Sequence, residues 1–242
     1  RMVSKFMLAI ISAMESEIKA ICDKLDNVKH DVISGCSIDT GTLFGLPVVC
    51  AVCGEGKVNA AMCTQSVILR FSPDAVINLG VGGGVYPGLK TGDIVVADRV
   101  VQHDYDVSAL GYEPGRVCNF EQVYMPCDPI LADALFSCAN NVLDDTFCVY
   151  RGTVATGDSF ISDSVRAKGI FERFGAYIVD MEGASIGQVC LLNQIPFGVV
   201  RAVSDNGDDG AFKSFRDFLD YAVENSVRMI ESYVQHAVRA NG

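Results

Sequence analysis

Positive charge is scarce in this chain. Nineteen Lys and Arg stand against 30 Asp and Glu, a formal net charge of −11, so the clustered cations that a nucleic acid or an anionic bilayer demands are missing. No apolar stretch is long enough to span a bilayer without interruption by charge. Internal repeats, low-complexity tracts and linkers are also absent, which predicts one domain over residues 1–242. A Cys-x-x-Cys pair occurs once, Cys50 and Cys53, inside a strand-like run with no second Cys or His pair nearby. A redox motif would open a helix and a zinc site needs four ligands, so no metal or redox use is expected. The ten cysteines lie scattered through apolar runs, where a free thiol behaves as a small hydrophobe, and this predicts a reducing, cytoplasmic setting. The basic start followed by Phe6 to Met14 mimics a short signal peptide, but it lacks a small-x-small cleavage site and runs into an acidic helix; it reads as the first core strand.

Apolar residues, in contrast, are plentiful. Half the chain is hydrophobic and 20% is charged, enough to bury a large core without staples. Periodicity predicts helices at Glu15–Leu25, Lys57–Phe71, Asp128–Leu143 and Asp163–Phe174, with a long terminal helix from about Ser214. Strands are expected at Val32–Thr40, Pro47–Cys53, Pro73–Gly80, Asp93–Val101, Cys148–Ala155 and Ile195–Val203. Strands and helices alternate along most of the chain, which predicts an α/β fold: a three-layer α/β/α sandwich around a central sheet.

Two junctions carry candidate chemistry. Tyr177 to Ala184 runs from a β-branched segment into a helix with Glu182 at the boundary, where unpaired N–H groups and the helix dipole favour an ionised, hydrogen-bond-accepting carboxylate. The strand from Ile195 ends in Ser204-Asp205, a second carboxylate at the carboxyl end of a strand, where open α/β sheets bind ligands. One acceptor and one acid form a recurrent pair for binding and protonating a polar substrate; the alternative is that Glu182 is only a helix-start residue and Asp205 an N-cap. Gly54-Glu55-Gly56 resembles the end of a phosphate loop, but Ala51 stands where the motif needs Gly and Val58 where it needs a hydroxyl, so a nucleoside triphosphate site is rejected. Gly80 to Gly84 follows a strand without opening a helix, which excludes a dinucleotide fingerprint and leaves close ligand approach or tight packing. His103-Asp104-Tyr105-Asp106 is read as a set of structural hydrogen-bonding groups, because consecutive polar residues on an irregular loop rarely converge on a metal.

Ala13 to Glu17, Gly80 to Gly84, Thr91 to Val95, Gly157 to Ile161, Val179 to Glu182 and Arg201 to Asp205 together resemble the 5′-methylthioadenosine/S-adenosylhomocysteine nucleosidase family, in the family's order and over nearly the whole chain. The resemblance implies the mixed sheet of the purine nucleoside phosphorylase superfamily, a homodimer, and hydrolysis of an adenine N-glycosidic bond without metal or organic cofactor. It implies Asp205 as the acid at adenine N7, oriented by Ser204, and Glu17 as the base on the attacking water. Glu182 would hold both ribose hydroxyls with Met181 against the sugar, Phe160 would stack on adenine, and the Ile161 backbone would read its edge. Arg201 would support the ribose-binding carboxylate, while Met14 and Phe215 would line the sugar and its 5′ side. Leu110, where the family often has an aromatic, and Tyr112 would reach into the partner subunit's 5′ pocket.

Two departures mark this chain: Val81 stands where the superfamily usually has a hydroxyl, and Glu55 where the family more usually has an apolar residue beside the 5′-thioalkyl group. Either Glu55 faces the substrate's 5′ substituent, or it turns to solvent or to Lys57. A phosphate-dependent phosphorylase and a non-catalytic nucleoside binder are the rival readings. The first would need cationic phosphate contacts that the carboxylate-rich Ala13 to Glu17 does not offer, and the second gains nothing from keeping an acid and a base. Hydrolases of futalosine derivatives or of adenosine monophosphate share the same core carboxylates and stay open.

Overall fold

The computed structural model describes residues 6–118, 120–144, 146–205 and 211–241, the last stretch as backbone alone over 211–222 and 240–241. The chain opens with the fully buried strand β1 (Leu8–Ser12), the short helix α1 (Glu15–Cys22), and an antiparallel run of β2 (Asp26–Ile33), β3 (Cys36–Leu43) and β4 (Leu46–Val52). Then come α2 (Lys57–Phe71), β5 (Ala75–Gly84), β6 (Ile94–Gln102), a 3-10 turn at Ser108–Leu110, and β7 (Met125–Pro126). The second half runs through α3 (Pro129–Val142), β8 (Val149–Thr156), α4 (Ser164–Phe174), β9 (Ala176–Asp180), α5 (Gly183–Leu192), β10 (Phe197–Asp205) and α6 (Ala211–Asn241).

All ten strands belong to one mixed sheet. β1 lies parallel between β4 and β5, β5 lies parallel to β10, and β10 is antiparallel to β6. β8 joins β6 and β9 in parallel, and β9 returns to β5 in antiparallel fashion through Gly83–Val179 and Gly84–Ile178. That last pairing closes half of the sheet on itself, a curl beyond the expected open sandwich. On one side α1, α3 and α6 bury Ile18, Leu135 and Ile230 against Ile10, Ile77 and Val200; on the other, α2 and α5 bury Cys63, Val67 and Ile186 against Ala9, Val76 and Val199. The alternation along each strand therefore faces two helical layers, as the three-layer reading requires.

Local chemistry explains the element ends. Asp128 caps α3 by accepting from Leu131 N–H at 2.8 Å, with Pro129 at the first helical position. Asp163 caps α4, and Gly175 ends it in the left-handed region. The expected strand Val32–Thr40 is instead two strands of a hairpin, β2 and β3, turned by Ser34 and Gly35 at φ +53° and +79°. The turn-rich stretch 41–46 is mostly strand: β3 and β4 meet through Phe44 and Gly45 alone, at φ +50° and +85°. In α6, Val223, Val227, Ile230 and Val234 are buried as expected, while the expected core contacts of Phe215, Phe218, Leu219 and Ala222 and the loop 206–210 fall outside the described residues. No described helix is long and apolar enough to cross a membrane, and the ten cysteines are all free.

Candidate active site

The carboxyl ends of β1, β5 and β10 and the start of α5 converge on a cavity of about 450 Å³. Met14 and Glu17 line it from the β1–α1 junction, Val81 from β5, Phe160 and Ile161 from the β8–α4 loop, Met181 and Glu182 from the β9–α5 junction, and Ser204 and Asp205 from the end of β10. Ten of the expected site residues are thereby brought together, Glu55 at the rim being the tenth. Ile161 is buried and Phe160 is 46% exposed at the cavity. Among the described residues no Lys or Arg lines the cavity, whereas Glu17, Glu55, Asp180, Glu182 and Asp205 do.

Beneath the cavity floor lies Arg201, 1% exposed, in the middle of β10. Burial opposes its charge, but Asp180, Glu182 and Glu17 outweigh that and keep it protonated. Its Nη2 lies 2.6 Å from Asp180 Oδ2 and 3.7 Å from Glu182 Oε2, and it donates to Asn78 Oδ1 as well. Arg201 therefore supports Glu182 at a distance and grips Asp180 directly. The glycines of β5 make room for it: a Cβ on Gly80 would come within 2.7 Å of Glu17 Oε1 and 3.1 Å of Arg201 Nη1. Tight packing thus accounts for Gly80, as it does for Gly82, whose Cβ would meet the Val179 carbonyl at 2.7 Å.

Each cavity carboxylate is held in a different way. Glu17, at the third position of α1, accepts from the N–H of Met14 at 2.9 Å and from the N–H of Val81 at 2.9 Å. Burial nonetheless raises its pKa above 4.5, against the lowering influence of Arg201 and of those N–H groups, which suits a proton acceptor. Because the Val81 backbone makes this contact, the missing hydroxyl at Val81 leaves the seat of Glu17 intact. Asp205 follows a β-bulge at Ser204, where the register with β5 shifts between Val203 and Asp205. A bulge re-aims the next side chain, and here Asp205 turns into the cavity while Ser204 Oγ donates to its Oδ2 at 2.8 Å.

Glu182 departs from its expectation. Its side chain does not serve its own helix: Asp180 Oδ2 takes the Gly183 N–H at 2.9 Å and Thr156 Oγ1 takes the Ala184 N–H at 2.8 Å. Glu182 Oε1 instead accepts from Gly56 N–H, at the start of α2, at 2.8 Å. Burial first, and then the neighbouring Asp180 charge, raise its pKa to about 7, outweighing Arg201 and the Gly56 N–H. The helix-start hydrogen bond expected of Glu182 from sequence is made by Asp180 instead.

Asp180 and Asn78 are the supports that residue-by-residue reading passed over. Asp180 stood inside a recognised motif, but its neighbour Glu182 drew the functional assignment; Asn78, fully buried in an otherwise apolar strand, was the available signal. Leu110 and Tyr112 lie outside the cavity of a single chain: Leu110 is 73% exposed, and Tyr112 packs under the Arg116 guanidinium at 5.2 Å. Phe215 has no described side chain. Lys57, offered as one partner for Glu55, instead binds Asp104 Oδ1 at 2.7 Å, which leaves the cavity rim and solvent as the surroundings of Glu55. Asp104 takes the structural hydrogen-bonding role expected of its cluster.

Comparison with known proteins agrees with this geometry. Residues 7–235 match the family model described as the phosphorylase superfamily. A 5′-methylthioadenosine/S-adenosylhomocysteine nucleosidase of Anoxybacillus flavithermus is 41% identical over 94% of this chain and 97% of its own length. The solved structure of the Neisseria meningitidis nucleosidase of that name, in complex with methylthio-immucillin-A, superposes with a TM-score of 0.91 at 37% identity, covering 95% of this chain and 99% of the other. A Helicobacter pylori futalosine hydrolase superposes with a TM-score of 0.90 at 29% identity, covering 96% and 98%. The chain belongs to the phosphorylase superfamily and, within it, to the 5′-methylthioadenosine/S-adenosylhomocysteine nucleosidase family.

Proposed function

We propose that this enzyme hydrolyses the N-glycosidic bond of adenine nucleosides with a 5′-thio substituent, 5′-methylthioadenosine and S-adenosylhomocysteine, with 5′-deoxyadenosine a further candidate. The observation that carries the reading is a cavity lined by Glu17, Glu182 and Asp205 with no Lys or Arg among its described lining residues. A phosphate nucleophile would meet carboxylates there and, among the described lining residues, no cation, whereas water needs only a base. Adenine leaves poorly as an anion, so Asp205 donates a proton to N7 as the C1′–N9 bond breaks. Glu17 takes a proton from the water that attacks C1′. The sugar becomes oxocarbenium-like between these events, and ionised Glu182 and Glu17 stabilise its charge while Glu182 accepts from the ribose hydroxyls. Phe160 stacks on the base, the Ile161 backbone reads its edge, and Met14 and Met181 pack on the sugar. No organic cofactor or metal enters this scheme.

The enzyme works as a homodimer in this reading. Val58 and Leu69, 78% and 76% exposed on one stripe of α2 with Met62 between them, form an apolar face on the helix whose start holds Glu182. Leu110 and Tyr112 then complete the partner's 5′ pocket. Ten free thiols and the absence of a described spanning helix fit the reducing cytoplasm.

The test is to incubate the protein with methylthioadenosine, S-adenosylhomocysteine, adenosine and inosine, with and without phosphate, and to identify the sugar. Free adenine and free thioribose without phosphate are expected. Ribose 1-phosphate as the product, or no turnover of any adenine nucleoside, would overturn the reading; a futalosine derivative belongs in the same panel because of the second structural likeness.

A further inference from the structure

Helix α2 starts badly by its own sequence. Its N-cap is Gly56, which has no side chain to offer, its first turn has no acid, and Lys57 puts a cation at the positive end of the dipole. The unpaired N–H groups are taken by carboxylates from far along the chain: Gly56 N–H donates to Glu182 Oε1 and Lys57 N–H to Asp158 Oδ1, both at 2.8 Å. The Lys57 charge is answered by Asp104, whose Oδ1 lies 2.7 Å from Nζ and whose Oδ2 accepts from the Asp158 N–H at 2.9 Å. Gly56 fits this knot because its φ is +95° and a Cβ there would lie 3.1 Å from Asp158 Oδ1. Asp158 is thus fastened through both its backbone and its side chain, two residues before Phe160.

We infer that Asp158, clasped by Lys57 and Asp104, is a positioning residue that holds the start of α2 where Gly56 N–H fixes Glu182 for the sugar hydroxyls. With Oε1 committed to Gly56, the Oε2 of Glu182 is the oxygen presented to the ribose. The same clasp anchors the loop carrying Phe160, so the sugar acceptor and the base platform share one support. Asp104 stays ionised in this knot: burial would raise its pKa, but Lys57 and the Asp158 N–H overcome that and lower it.

The inference rests on Glu182 as the acceptor of the ribose hydroxyls, and the experiment separates the two. Steady-state kinetics are measured for 5′-methylthioadenosine and its 3′-deoxy analogue on wild type, Asp158→Ala, Asp158→Asn and Lys57→Met. Wild type should prefer the nucleoside with the 3′-hydroxyl; if it does not, the role of Glu182 fails, and the inference with it. Losing a helix cap is worth about fivefold, so Asp158→Ala should lower kcat/KM for 5′-methylthioadenosine by about that factor, mainly through KM. The same change should have a smaller effect on the 3′-deoxy analogue, because the contact of Glu182 with the 3′-hydroxyl is already gone there and only that with the 2′-hydroxyl remains to be lost. Asp158→Asn keeps an acceptor oxygen for Lys57 N–H and should recover most of the loss. If Asp158→Ala folds poorly, Lys57→Met loosens the clasp without touching the cap oxygen and should show the same dependence on the 3′-hydroxyl, more weakly. Equal penalties on both substrates, accompanied only by a lower melting temperature, would show that Asp158 is a structural cap and refute the positioning role.

Discussion

Glu182→Gln tests the electrostatics of the site most directly. Glutamine keeps the shape of the side chain and an oxygen for the Gly56 N–H, and removes only the titration. In the folded chain burial and Asp180 raise the Glu182 pKa from its ordinary 4.5 to about 7. Between those values the native state keeps the proton and the unfolded chain releases it, so the stability present at low pH is lost as pH rises towards 7. The gap of about 2.5, at ~1.4 kcal/mol for each pH unit, makes ~3 kcal/mol, a sizeable share of the ~5–15 kcal/mol that holds a typical domain. Above pH 7 the wild-type protein bears this penalty and the glutamine variant does not. Urea denaturation at pH 5 and pH 8 should therefore find the variant close to wild type at the lower pH and more stable by ~3 kcal/mol at the higher.

Catalysis should move the opposite way. In the proposed mechanism the ionised form of Glu182 accepts two hydroxyls and opposes an oxocarbenium charge, so wild-type kcat/KM should rise with pH through about 7. The glutamine variant should lose the limb and most of its activity while gaining stability, the usual exchange at a strained functional site. A difference in stability between the two proteins that is the same at pH 5 and pH 8 would refute the reasoning. It would mean that the carboxylate is ionised at ease, as its place at a helix start first suggested.

Asp205→Asn should abolish turnover while ligand affinity stays within about tenfold, ~1.4 kcal/mol by calorimetry; near-normal kcat in this variant would remove Asp205 as the acid. Gly82→Ala should destabilise by ~1–3 kcal/mol in denaturant melts, because its Cβ would sit 2.7 Å from the Val179 carbonyl and 2.6 Å from Ile178 Cγ2, and backbone must move to admit it. Glu55→Ile should raise kcat/KM for a butylthio nucleoside relative to S-adenosylhomocysteine, whose ammonium the rim carboxylate can pair with. Unchanged ratios between wild type and the isoleucine variant would show that Glu55 faces only solvent.

How far the sequence reaches depends on what each residue is asked to reveal. Leu8 to Ser12, α3 with its Asp128-Pro129 start, and the buried stripe of α6 were legible because burial on a fixed period and capping chemistry are local properties. β2 was not, since its residues are almost all exposed, so no face of the strand carries an apolar signal and only its pairing with β3 makes it a strand. The closure of the sheet through Gly83 and Gly84 was equally hidden, because it depends on the register of two strands about a hundred residues apart.

The site divides along the same line. Glu17, Glu182 and Asp205 could be placed at element junctions, and the family resemblance gave them roles, but their protonation could not be read from those junctions. For two of them charge state is set by neighbours from other elements: Val81 N–H beside Glu17, Asp180 and Gly56 beside Glu182, and Arg201 beneath Glu17, Glu182 and Asp180. Arg201 illustrates the limit. In the sequence it is one cation in an apolar strand; in the fold it is the counter-charge that lets three carboxylates gather at one cavity. Replacing it by Met should leave those carboxylates without their cation, costing ~3–5 kcal/mol near neutral pH and less in acid, where they can take up protons instead.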